Sequence, residues 1–523
     1  MTSPLPRRTA LRSAAAVMGV AVVGAVAACT GTDPVTGDAT DGARPESTPQ
    51  RHALTPGRAD RAGTLDPRTR GGDAAATVAA SRALLEAASV VVVTSDEPGD
   101  LAAGTAAARR LGIPLFVDGP GLADELDRLG TRTVLRWSVT APPGSPSPSS
   151  GAPATGGREV IAATDVDDLP ELPGLPLQPP RNRATVLLRE GAKVPPSLAA
   201  TLAAVGADPV TVTGTDPRTA DDARDALRTA LDTAVLAVGA GFGASARFAH
   251  RVRTARHAHE LPGGGLLPFP GRRMVALYGH PRTAALGMLG EQSAQASVRR
   301  AAELAQQYAA LVKEPVVPAF ELIATVAAGA PQEDGSYSRR TPVRALLPWV
   351  EAAEQAGTYV VLDLQPGRDD FLTQAKAYEE LLRRPWVGLA LDPEWRLQPG
   401  EKPLRQIGHV GIDEVNAVGA WLAALVREHD LPPKVLTLHQ FRPSMVRDRD
   451  RLDTSLDEVQ WLVHADGQGG QNAKQGTWSA LRRDLPEGVW LGWKNFEDED
   501  TPMLTPEQTV AQVHPTPFFV SYQ

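Results

Sequence analysis

Asp392 and Glu394 have the types and spacing that best fit bond-breaking chemistry, in the run Leu389-Ala390-Leu391-Asp392-Pro393-Glu394-Trp395. On a strand, residues i and i+2 share one face, with Cα atoms ~6.5–7 Å apart. Carboxylates so placed set each other's pKa, one ionised while the other keeps a proton near neutral pH. Glycosidic cleavage needs such a pair: an acid for the leaving oxygen, and a second carboxylate to stabilise positive charge or activate water. The alternative is an Asp-Pro-Glu turn that merely caps an exit into a surface loop. Asp363 and Gln365 repeat the spacing, either to orient substrate or Glu394 or as polar rim residues bonded to a loop. Trp395, Trp461 and Trp493 could offer stacking faces to sugar rings.

These residues need a scaffold, and the C-terminal half supplies a regular one. After Pro262-Gly263-Gly264-Gly265 come eight strand candidates: 274–279, 316–324, 359–365, 387–392, 434–440, 458–465, 489–494 and 518–522. Helical patterns at 294–312, 341–357, 369–384 and 413–429 separate several of them. Count and size fit a (β/α)₈ TIM barrel over 266–523, its closing helix either missing or supplied by 244–260. In such barrels the site lies at the carboxyl ends of the strands. Read in order, those ends deliver Tyr278 and His280, Glu321, Asp363 and Gln365, Asp392 and Glu394, His439, His464 and Asp466, then Trp493 and Lys494. Asp363, Asp392 and Glu394 are the candidate catalytic groups; the others, with Trp395, are candidate substrate-binding groups. His280, His439 and His464 raise a metal-dependent alternative. No His-Glu-x-x-His occurs, and no metal or other cofactor is expected. Lys494 could form a Schiff base, although a salt-bridged lysine fits as well.

Residues 74–260 alternate helix and strand, with strands such as 89–94, 113–117, 132–137, 184–188, 209–213 and 233–238. That alternation means parallel sheets with crossover helices. Pro- and Ser-rich 141–157 reads as a disordered loop, and 29–73, rich in Gly, Thr, Asp, Pro and Arg, as a flexible tether. Gly239-Ala240-Gly241-Phe242-Gly243 lacks the spacing of a dinucleotide loop and reads as a tight strand–helix turn.

Three segments resemble known families. Leu389-Ala390-Leu391-Asp392-Pro393-Glu394 resembles the fourth-strand Asp-x-Glu of family 25 muramidases and, more distantly, that of the chitinase-like barrels. The resemblance implies cleavage of β-1,4 bonds in amino-sugar polymers, Glu394 as acid and Asp392 as its charged assistant. The muramidases also have an Asp at the end of strand one, where this chain has Gly279-His280. Val90 to Gly104, with Gly112-Ile113-Pro114-Leu115-Phe116-Val117 and Leu129-Gly130-Thr131-Arg132-Thr133-Val134, resembles the type 2 cell-wall-binding repeat. That implies a module held non-covalently on anionic wall polymers. Residues 182–242 match it poorly, and Trp137-Ser138-Val139 replaces the family's Gly-Gly turn.

Val26-Ala27-Ala28-Cys29 resembles a bacterial lipobox, with Arg7, Arg8 and Arg12 ahead of an uncharged run from Ala14 to Ala28. It implies a signal peptide over 1–28, acylation of Cys29 with palmitate-type chains, and anchorage on the extracytoplasmic face of the cell membrane. Arg7-Arg8 leaves open whether export is by the twin-arginine route. Loss of three arginines with residues 1–28 would take the formal charge from −8 to −11, which gives no electrostatic reason to bind nucleic acid. Cys29 is the single cysteine, so no disulfide holds the fold. The expectation is a membrane-anchored glycoside-hydrolase-like protein acting on a cell-envelope polysaccharide. The alternative is a non-catalytic polysaccharide-binding lipoprotein with a degenerate barrel.

Overall fold

The computed structural model describes residues 51–68, 71–139, 157–178 and 183–523. The signal peptide, Cys29, the first part of the tether and nearly all of the loop at 141–157 lie outside the described residues. No helix among them is long and apolar enough to cross a membrane.

The C-terminal half is a closed barrel of eight parallel strands. They are β1 (Arg273–Gly279), β2 (Val316–Ala327), β3 (Tyr359–Leu364), β4 (Val387–Leu391), β5 (Lys434–Gln440), β6 (Val459–Ala465), β7 (Trp490–Asn495) and β8 (Phe519–Tyr522). Pairing of β1 with both β2 and β8 closes the ring. Each matches one of the eight expected strands. Every strand is covered on both faces, which explains why near-continuous apolar runs were their signal. Inside, Met274, Ala276, Val317, Ala319, Tyr359, Val361, Ala390, Val435, Leu462 and Phe519 form the lower layers. Outside, the sheet packs on helices such as Ala294–Ala309, Val343–Gln355 and Ile412–Glu428 through Leu277, Phe320, Leu362, Leu389 and Leu438. The helix expected over 369–384 is two short ones, Phe371–Ala377 and Glu379–Leu382.

The N-terminal half is mixed α/β, with two four-stranded parallel sheets. One runs Leu115–Val117, Val90–Thr94, Thr133–Trp137, Glu159–Ala163. The other runs Pro209–Val212, Ala184–Arg189, Ala234–Val238, Ala62–Leu65. Both place a central strand between the next two in sequence, and the fourth place is filled differently. In the second sheet it is taken by Ala62–Leu65, which pairs in register with Val235–Val238. This corrects the tether: its last residues are structured, and Leu54–Pro56 pairs antiparallel with Leu85–Ala88. Both strands are too short to show a period, and each is held by a partner distant in sequence.

Helix Ser245–His257 does not close the barrel. Its Phe248, Val252 and Ala255 pack with Leu187, Val235 and Ala237 of the second sheet. Its other face carries Arg247 and Arg251, one turn apart, which grip Asp457 in the loop before β6 at 2.7–3.0 Å through paired N–H donors. Arg218 adds a bond to the Asp457 carbonyl oxygen at 2.8 Å. Burial alone would raise the Asp457 pKa, but the hydrogen bonds from Arg247 and Arg251 outweigh it and hold the carboxyl far below its usual range. A depressed carboxylate stabilises above the unfolded pKa of ~3.9 and loses that contribution as pH falls. Asp457→Ala, which removes the carboxylate that Arg247 is bonded to and leaves Arg218 and Arg251 with Asp216, is expected to cost about 3 kcal/mol. The check is amide hydrogen exchange: helix Ser245–His257 should exchange faster in the variant, and unchanged protection would show that the clamp contributes nothing.

Candidate functional site

Toward the carboxyl ends of the strands the inward positions turn polar on all eight. They carry Tyr278, Glu321, Asp363, Asp392, His439, His464, Lys494 and Ser521, each buried. Charge this deep costs several kcal/mol per ion unless paired, and the pairing is explicit. His439 lies between two carboxylates, with Nε2 2.9 Å from Glu321 Oε1 and Nδ1 3.0 Å from Asp466 Oδ2. Lys494 Nζ sits 3.1 Å from Asp466 Oδ1 and 3.5 Å from the centroid of the Tyr278 ring. The Tyr278 hydroxyl donates to Asp363 Oδ2 at 2.9 Å and accepts from Gln365 Nε2 at 3.4 Å.

Burial and partners push these groups apart. Desolvation would lower the His439 pKa, but Glu321 and Asp466 outweigh it and raise it well above the usual value, so the ring is an imidazolium. Desolvation would raise Asp466, but Lys494 and His439 hold it far below the usual range. Lys494, which burial alone would lower, is kept charged chiefly by Asp466. A Schiff-base role, which needs a neutral amine, does not fit. Burial, then the neighbouring Asp363, raises Asp392 well above its usual value. Burial raises Asp363 to about 6. Glu394 is pushed up to about 7, by burial first and by the Asp466 charge second.

Asp392 and Glu394 do not share a strand face. β4 ends at Leu391, and Pro393–Trp395 is a 3₁₀ turn. Proline fixes φ and lacks an N–H, so the strand stops there. Asp392 reaches the turn instead, accepting the Glu394 backbone N–H at Oδ1, 3.2 Å. The Gly408 N–H donates to the Glu394 carbonyl at 2.7 Å, and a Cβ on Gly408 would lie 2.5–2.6 Å from three carbonyl oxygens of the turn. The loop returning from 396 therefore fastens the turn, leaving the Glu394 side chain half-buried above the sealed layer. With Asp392 protonated, the ionised partner of Glu394 is Asp466.

Several sequence-derived candidates lie elsewhere. On β7 the inward residues are Trp490, Gly492 and Lys494, so Trp493 points outward and packs on Trp478 with ring centroids 5.7 Å apart. Trp461 is likewise outward, its Nε1 donating to the Asp453 carbonyl at 2.9 Å. Both are buried against the outer helices, and Trp395 is the one of the three that is partly exposed. His280 leaves the barrel axis because Gly279, at φ 145, turns against the Gly287 backbone. It faces Thr341 Oγ1 at 3.0 Å. Glu321, His464 and Lys494 are buried beneath the surface of the mouth.

Glu321, His439 and His464 bring ligand-type atoms within 4.8 Å of one another, a metal-like composition. Binding a cation there would require His439 to surrender the proton it holds between two carboxylates. Sequence reasoning missed Ser521, whose Oγ lies 3.3 Å from His464 Nε2. It also missed Lys474, which pairs with Asp500 at 2.9 Å and donates to the Lys494 carbonyl at 2.8 Å, bracing β7 from behind. Lys474 lies on a helix and Asp500 in a loop, so a search confined to strand ends passes over both.

The fold and site together define a TIM-like barrel with a carboxylate-rich mouth. No family model matches the chain, and no match was found among curated proteins. Among solved structures it is similar to the xylanase and alpha-amylase inhibitor protein XAIP-II from Scadoxus multiflorus. Identity is 11%, the match covers 48% of this chain and 93% of that chain, and the TM-score is 0.30. A likeness at that level says nothing about chemistry.

Proposed function

We propose that the protein is a glycoside-hydrolase-like enzyme acting on a cell-envelope polysaccharide. The observation that carries this is the divergence of two neighbouring carboxyl groups, Glu394 raised to about 7 and Asp466 held ionised by Lys494 and His439. Carboxyl groups driven apart in this way divide acid and base roles. Glu394 donates its proton to the glycosidic oxygen as the C1–O bond breaks and the bonding pair moves to that oxygen. Asp466 stabilises the positive charge left at C1 or takes a proton from the water that adds there. Asp392 and Asp363 position the Glu394 turn and Tyr278. The test is release of reducing ends from cell-wall glycans by wild type and Glu394→Gln; equal release would remove Glu394 from the mechanism.

A second reading, a barrel that binds glycan without turning it over, draws support from the sealing of most of the polar layer. It is also favoured by Gly279-His280 standing where the muramidases carry an Asp. Sedimentation with purified walls, unaffected by changes at Glu394 and Asp466, would favour it.

Attachment through an acylated Cys29 and wall contact through the N-terminal sheets complete the proposal. Cells fed a clickable palmitate analogue should label the wild-type protein and not Cys29→Ser, with the variant shifting to the soluble fraction. Equal labelling would rule out acylation at Cys29.

A further inference from the structure

Beside the mouth, between the exits of β1 and β2, lies a hollow of about 290 Å³ whose rim includes His280, Arg282, Arg339, Arg340 and Thr341. Its chemistry is opposite to that of the barrel centre. Five carboxyl groups gather there, Glu321, Asp363, Asp392, Glu394 and Asp466, against the cations His439 and Lys494. The hollow has three guanidiniums on a chain with 61 acidic and 53 basic residues, so the cluster runs against the overall charge. Arg340 is paired with Asp369. Arg282 and Arg339 have no carboxylate partner among the described residues.

The floor is ordered by hydrogen bonds. His280 Nδ1 accepts the Arg282 backbone N–H at 3.2 Å, so Nε2 carries the ring proton and donates to Thr341 Oγ1 at 3.0 Å. Arg339 stands on Ser338–Arg340, the strand that folds back on the end of β2, with Arg339 opposite Val326. The cations thus project from a fixed hairpin and a fixed turn. A guanidinium presents a planar fork of donors that matches carboxylate and phosphate oxygens.

We propose that this hollow is a subsite for an anionic substituent, a carboxylate or a phosphate, on the glycan that crosses the mouth. The inference rests on the glycosidase reading and adds the substrate class: an acidic polysaccharide. The hollow attracts the acidic group, while both cations of the centre are already paired with carboxylates. The two together fix the direction in which the chain lies, from the β4 and β6 exits, where Glu394 and Asp466 stand, to the β1 and β2 exits.

The test is calorimetric binding to Glu394→Gln protein, which prevents turnover. The ligands are chitotetraose, a hyaluronan tetrasaccharide bearing carboxylates, and 6-O-phosphorylated chitotetraose. At least one acidic ligand should bind about tenfold more tightly than the neutral one, a difference of ~1.4 kcal/mol. The acid that gains identifies the substituent. The advantage should shrink with added salt and vanish when Arg282→Gln and Arg339→Gln are combined, with neutral-glycan affinity and the thermal melt unchanged. Equal affinities, an advantage that survives the double variant, or no binding of any ligand would each overturn the subsite. Turnover of the same glycans by wild type is scored separately. Arginine-dependent binding without turnover keeps the subsite and sinks hydrolysis, and turnover without acid preference does the reverse.

Discussion

Replacing Glu394 by Gln is expected to lower kcat on a cleavable glycan by about 10²–10⁴-fold, with KM little changed, because general acid catalysis supplies a factor of that size. The amide keeps the shape and the backbone contacts of the turn, and it cannot give a proton to a leaving oxygen. The pH profile carries the same information. Wild-type activity needs Glu394 protonated, so it should fall as pH rises through about 7. Asp466 stays ionised far below that, so it sets no limit near neutrality. Wild-type stability should fall over the same range. A carboxyl whose folded pKa lies above its unfolded value stabilises at low pH, and that contribution is lost as pH rises through the folded pKa. At pH 8 wild type carries a half-buried charge that Glu394→Gln lacks, so the variant should be more stable there by about 1–3 kcal/mol. At pH 4 the two should match. A variant that loses activity and gains no stability at pH 8 would show that Glu394 does not titrate near 7.

The barrel was legible because each of its strands is an apolar run flanked by turn residues, and because eight such runs alternate with helices. The mouth was legible only as a list of strand ends. Strand parity was available and would have separated Lys494 from Trp493: adjacent residues on a strand cannot both face the axis. Pro393 likewise announced that Glu394 had left the strand. Other features depend on contacts no local pattern contains. Asp466 is ionised because Lys494 of β7 and His439 of β5 meet at it, and Ala62–Leu65 is a strand because Val235–Val238 lies beside it. Gly279 was noted only for the aspartate it replaces. Its positive φ is what carries His280 out of the carboxylate cluster and into the arginine-lined hollow.

Lys494→Met is expected to destabilise the barrel by about 3–5 kcal/mol, the usual cost of removing one partner from a buried ion pair. Met fills most of the lysine's volume, so the loss reports charge rather than a cavity. Without Lys494, Asp466 retains His439 as its only hydrogen-bonded cation among the described residues, and Tyr278 loses the ammonium over its ring. Asp466 then takes up a proton more readily, and the acid limb of any activity should move to higher pH. Asp466→Asn should be destabilising for the converse reason, since it leaves Lys494 buried at 2% exposure without its carboxylate. The decisive measurement is the double variant. Removing both partners leaves neither charge stranded, and neutral replacement of a buried pair is often close to neutral in stability. Lys494→Met with Asp466→Asn should therefore recover most of what either single change loses in urea unfolding. Losses that simply add would mean the two groups are not coupled, and Asp466 would need another source for its charge. Activity should stay low in the double variant even as stability returns, because a neutral amide at position 466 cannot act as the ionised partner of Glu394. That split between recovered stability and lost turnover separates a carboxylate kept for chemistry from one kept to hold the barrel together.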